Sequence, residues 1–141
     1  MSNPYGSTTG TTEREGRPLM QGLMSFDLAA EAATLREEEQ FTRGDRNSRT
    51  LAKDVDFRVL LSVLKPGAVL DEQDGDARAS LQMLEGRAVL DVHGEQAELK
   101  PWQIGVVDAG QPWTLRASSD CTVLLTLAWP TDADRHMARE R

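Results

Sequence analysis

From residue 48 onward, apolar and polar residues alternate with a period of two. That is the pattern of strands that bury one face and wet the other. The alternation predicts strands at 49–53, 57–65, 68–72, 79–85, 87–93, 96–100, 104–108, 113–117 and 121–128. Between them stand turn signals: Lys65-Pro66-Gly67, Asp74-Gly75-Asp76, Glu85-Gly86, His93-Gly94-Glu95, Ala109-Gly110-Gln111-Pro112 and Ser118-Ser119-Asp120. Many short strands at roughly 8–12-residue spacing describe an antiparallel sandwich or barrel. Helices do not alternate with these strands, which argues against a parallel Rossmann-type sheet.

Before residue 48 the period is helical. In 27–40, Leu28, Ala32 and Leu35 recur on one face with Glu on the others. Ser25 or Asp27 can cap the start, and Glu31 suits the positive helix end. The expected role is to lie across a sheet or an opening. The flanks are polar. Residues 1–24 read as a disordered tail, 25–130 as one domain including the helix, and 131–141 as a charged C-terminal tail.

Composition narrows the function classes. Asp and Glu number 23 against 16 Lys and Arg, a net charge of −7. A general nucleic-acid binder needs the opposite sign. The single cysteine, Cys121, allows no intrachain disulfide and no Cys-rich zinc site, and reads as a buried, inert thiol. The first twenty residues lack the apolar run of a signal peptide, and no stretch reaches the ~18 apolar residues of a membrane span. The expectation is a soluble cytoplasmic protein with neither nucleic acid nor membrane as partner. Of the two histidines, His93 stands at a hairpin turn and His136 in the C-terminal tail, so no Ser-His-Asp or Cys-His arrangement is in view.

Residues 64–130 resemble a small bacterial cupin, with the strands of 49–63 fitting the same jelly roll. The resemblance rests on ungapped spacing, the phrase LQMLEG, the HGE turn and the LLTLAWP close. The first cupin motif, G-x5-H-x-H-x3or4-E-x6-G, threads with Gly67 and Gly86 as its glycines. Its histidine positions fall on Gln73 and Gly75, and its Glu position on Ala79. The second, G-x5-P-x-G-x2-H-x3-N, threads with Gly110 in place. Trp102, Asp108, Trp113 and Ala117 occupy its other fixed positions. The resemblance implies an all-β double-stranded β-helix with a short N-terminal helix, and a metal held by three His and one Glu. Here those four positions carry an amide, no side chain, a methyl and an indole. Indole N–H donates and cannot ligate, so the expectation is no metal and no cofactor.

Inside the barrel, Ala79, Leu81 and Met83 are expected to face Trp113. That set allows two readings: a core plugged by Trp113, or a pocket for a small apolar or aromatic ligand stacked on Trp113 and oriented by Gln73. Arg78, at the barrel mouth, can take a ligand carboxylate or pair with the acidic run Asp71, Glu72, Asp74 and Asp76. That run reads as a solvated hairpin, with weak Ca²⁺ or Mg²⁺ binding as the alternative. Arg58 and Arg87 are expected to point outward. Trp102 is expected to cap the barrel or reach a partner chain, and Trp129 to pack against the helix. The functional expectation is a metal-free ligand-binding or structural protein, homodimeric and not catalytic. The alternatives are an isomerase or lyase working through Asp71 or Asp108, and a metabolite-sensing regulatory domain.

Overall fold

The computed structural model describes residues 15–17, 22–71 and 76–130. Gln73, Gly75, Glu72, Asp74 and His136 lie outside them. The described elements are β1 (Glu15–Arg17), α1 (Leu28–Glu37), α2 (Glu39–Thr42), β2 (Arg46–Lys53), β3 (Phe57–Leu64), β4 (Val69–Asp71), β5 (Arg78–Glu85), β6 (Ala88–Val92), β7 (Glu95–Leu99), β8 (Ile104–Val107), β9 (Thr114–Ala117) and β10 (Cys121–Ala128). One sheet has the order β1-β2-β3-β10-β5-β8 and the other β4-β9-β6-β7. All pairings are antiparallel except β1 with β2. β1 falls within the stretch read above as a tail: Glu15 and Arg17 pair in parallel with Thr50 and Ala52.

Two apolar clusters hold the fold. The first lies between the sheets and includes Ala79, Leu81, Met83, Leu90, Trp113, Leu115, Val123 and Leu125. The second lies between the helix and the outer face of the larger sheet: Ala32, Leu35, Phe41, Leu51, Leu61 and Val63. β3 therefore serves both, with Leu61 and Val63 under the helix and Leu60 and Leu64 inside the barrel.

α1 starts at Asp27, whose Oδ1 accepts from the Ala30 N–H at 3.1 Å. Of the expected apolar stripe, Ala32 and Leu35 are buried and Leu28 is half-buried. Glu31 departs from the expected polar face. It is buried, and its carboxylate meets Arg49 Nη1 at 2.9 Å. Arg49 Nη2 reaches Glu38 at 2.7 Å, and Asn47 Nδ2 donates to Leu35 O and to Glu38 Oε1. The helix is thus fastened to β2 by a polar clamp as well as by apolar contact.

Gly67, Gly86 and Gly110, the glycines of the threaded motifs, have φ of 85°, 81° and 82°. At Gly86 there is also no room, because a Cβ would stand 1.9 Å from Asp120 O. Trp102 holds the same left-handed conformation with φ 72°, where the cupin pattern has a glycine.

Candidate site at the barrel mouth

Strand register decides which side chains converge. Ala79, Leu81 and Met83 alternate inward on β5, each 2% exposed or less, opposite Leu127, Leu125 and Val123 of β10. Trp113 immediately precedes β9 and is 3% exposed. β9 ends at Ala117, beside the turn into Cys121, so Trp113 lies at the far end of the barrel from that turn. Arg58 lies at the same end: it pairs with Leu127, which in turn pairs with Ala79.

Arg58 is a correction. The antiparallel register puts its side chain on the face of Leu60 and Leu127, toward the interior rather than outward. Its guanidinium carbon stands 5.2 Å from the centre of the Trp129 ring. Trp129 packs against the barrel cluster and not, as expected, against the helix. Among the described residues, two buried donors at this end have no hydrogen-bond partner: Arg58 Nε and Trp113 Nε1. Leaving such a group unpartnered costs on the order of 1–3 kcal/mol, so each is a position where an acceptor from outside the chain would be favoured.

The other candidates separate. Arg78 takes the outward register of β5, and its Nε lies 3.1 Å from Asp108 Oδ1. Asp71 also faces out, because Leu70 takes the inward position and packs on the barrel cluster. Asp108 is exposed, and the Ala109 N–H and Arg78 hold its carboxyl below the usual range. An exposed carboxyl held ionised is a poor general acid. His93 and Gly94 form the β6–β7 turn with φ of 54° and 83°, and Asp91 Oδ1 accepts from the Gly94 N–H. Arg87 is exposed, as expected. Cys121 is buried, and burial pushes its thiol up. Beside this end, where β7 meets β8, a groove of about 460 Å³ runs along Leu90, Val92, Val107, Asp108 and Gln111. In the β6–β9 ladder Asp91 pairs with Thr114, so the groove's Val92 comes next to Trp113.

Solved structures share this fold. The conserved SPY1581 protein of unknown function from Streptococcus pyogenes is 26% identical, with a TM-score of 0.58 over 61% of this chain and 75% of that one. KdgF from Halomonas sp. is 18% identical, with a TM-score of 0.55 over 63% of this chain and 83% of that one. The cupin_2 domain of an XRE family transcriptional regulator from Enterobacter cloacae is 19% identical, with a TM-score of 0.56 over 62% of this chain and 99% of that domain. The chain has a cupin fold. No protein-family model and no curated protein matches the sequence.

The cupin metal can be tested against the residues at its ligand positions. Ala79 offers a methyl and Trp113 a donor N–H, which would face a cation with the wrong polarity. Among the described residues no group of three or more His, Cys, Asp and Glu is placed to hold an ion. Ala79 and Trp113, the two ligand positions among the described residues, do not fit the family's metal. Arg58 is the mouth residue that sequence reasoning assigned to the wrong face. The signal available was parity with Leu60 and Leu64, obscured because β3 is apolar on both faces.

Proposed function

We propose that this protein is a metal-independent cupin that binds a small apolar or aromatic molecule carrying an oxyanion, and that it binds without turning the molecule over. The observation that carries this reading is the pair of buried, unpartnered donors, Trp113 Nε1 and Arg58 Nε, at one end of an otherwise apolar barrel. Two N–H groups with no acceptor favour a carboxylate-like group. The apolar side chains of the neighbouring groove, Leu90, Val92 and Val107, favour a ring or short aliphatic body beside these donors. A non-catalytic role is supported by the placing of Asp71 and Asp108, the carboxylates considered for acid–base work, on the exposed surface. The likeness to a regulator's cupin_2 domain supports sensing as the use of such binding.

Fluorescence titration of the purified full chain with benzoate, and with benzyl alcohol as the uncharged control, tests this. Saturable quenching by benzoate, weakened at least tenfold in both Trp113→Phe and Arg58→Met, supports the reading. Equal response to both probes, or to wild type and variants alike, would remove it. Elemental analysis of the untagged protein is the companion measurement, since one equivalent of Fe, Mn, Ni or Zn contradicts metal independence.

A further inference from the structure

The inner face of the barrel mouth carries charge of both signs. In the β6–β7 ladder Glu95 pairs with Val92, Ala97 with Leu90 and Leu99 with Ala88. Ala88, Leu90 and Leu99 belong to the barrel cluster, so Glu95 takes their inward register. It is nonetheless exposed, because it lines the open groove where β7 meets β8. The other acids of this hairpin are engaged. Asp91 accepts from the Gly94 N–H and from Gln96 Nε2, and Glu98 lies 4.0 Å from Lys100. Among the described residues the Glu95 carboxylate has no hydrogen-bond or ion-pair partner. Asp108 lines the same groove. Its Oδ1 takes the Ala109 N–H and Arg78 Nε, which leaves Oδ2 without a partner among the described residues. Arg58 holds the opposite side of the mouth. One cross-strand row of the larger sheet runs Arg58, Leu127, Ala79, Val107. Arg58 and Val107 are thus three strands apart, about 14 Å between backbones, a span that the Arg58 side chain shortens. Between them the row offers only the Leu127 side chain and the Ala79 methyl.

We infer that this site selects a zwitterion: a small acid whose carboxylate meets Arg58 Nε and Trp113 Nε1, and whose cationic group, at the far end of an apolar body, meets Glu95 and Asp108. The inference rests on the oxyanion reading above and adds the other half of the ligand. Charge sets the sign of that half. A plain anion entering the mouth passes two groove carboxylates on a chain of net charge −7. A zwitterion has no net charge to repel and finds an opposite charge at each end. Length sets its class. An α-amino acid carries both charges on one carbon and does not bridge from Arg58 to the β7–β8 groove. A para-substituted ring, or a straight chain of similar length, does. The groove, about 460 Å³ with Val92 and Val107 as apolar sides, is of a size that holds such a body. An inward charge on an edge strand such as β7 also deters strand pairing. That role alone gives no preference between ligands, so binding separates the two.

The test is isothermal titration calorimetry of the full chain with benzoate, 4-(aminomethyl)benzoate and benzylamine. The expected result is that the zwitterion binds about tenfold more tightly than benzoate, the size of one charge-assisted contact. In Glu95→Gln that preference should fall to about twofold or less, with the wild-type circular dichroism kept, since Glu95 is exposed. Glu98→Gln removes the same charge from the outward face of the same strand, where Glu98 pairs with Val89, and should keep the preference. Saturable benzoate binding with no gain for the zwitterion overturns this inference and leaves the oxyanion reading standing. Binding of neither acid removes both. Benzylamine binding as tightly as the zwitterion would mark a plain cation site and overturns the inference. So does a preference that survives Glu95→Gln, or one that Glu98→Gln lowers equally.

Discussion

Replacing Arg49 with methionine is expected to destabilise the fold by about 3 kcal/mol or more. The magnitude follows from what is left behind. Arg49 and Glu31 have side chains 9% and 1% exposed, so the substitution leaves the Glu31 carboxylate buried without its cation. Breaking a buried pair from one side costs on the order of 3–5 kcal/mol. Glu38, the second partner, is 39% exposed and can turn to water, so its share is discounted for solvent screening. Methionine keeps much of the arginine stem's volume, which keeps the packing loss small. For a chain of this length, 3 kcal/mol lowers the melting temperature by about 10 °C. Urea unfolding followed by circular dichroism measures it, provided the transition is two-state. The double variant Arg49→Met/Glu31→Met should recover most of the loss, because no buried charge is then stranded. Hydrogen exchange should place the Arg49→Met weakness in α1, which the clamp ties to β2. If Arg49→Met unfolds within about 1 kcal/mol of wild type, the clamp does not hold the helix and the reasoning fails.

Two further outcomes follow from the packing and the surface charges. Trp113→Ala should cost on the order of 3–5 kcal/mol, and indole should raise the variant's melting temperature by filling the space, while wild type should not respond. Wild-type stability in that variant would show that the indole is not packed in the core. Asp91 is held below the usual carboxylate range by Gln96 first and the Gly94 N–H next, and Asp108 by the Ala109 N–H first and Arg78 next. Depressed in the folded chain, both support it above their unfolded value near 3.9 and lose that support as the pH falls through the folded one. Asp91→Asn should therefore lower the neutral plateau while leaving stability at the acid end in place, which flattens the acid limb of a pH–stability profile, and an acid limb as steep as wild type would contradict this.

Where one face of a strand was buried and the other wet, the pattern was readable. β10 runs over Cys121–Ala128 as read, and Ala79, Leu81 and Met83 face inward as the alternation requires. β3 hid its register because apolar residues occupy both faces, one under the helix and one inside the barrel, so Arg58 was assigned to the wrong side. Burial of Glu31 depends on Arg49, a residue 18 positions away whose approach no local period reports. Trp113 was legible from motif spacing, but not the lack of a partner for its N–H, which is a property of the packed barrel alone. Trp102 stood out as a tryptophan in a glycine's place, and only the structure shows Ile104 and Val106 extending it into a face.

The barrel-mouth site is tested most directly by the indole region of a nitrogen–proton correlation spectrum. The chain has three tryptophans, so three indole cross-peaks are expected, and the one missing in Trp113→Phe belongs to Trp113. On adding benzoate that peak should move downfield and saturate, as its N–H gains an acceptor that none of the described residues supplies. A Trp113 peak that stays fixed, or a response confined to the exposed Trp102, would contradict a ligand held by the barrel's unused donors.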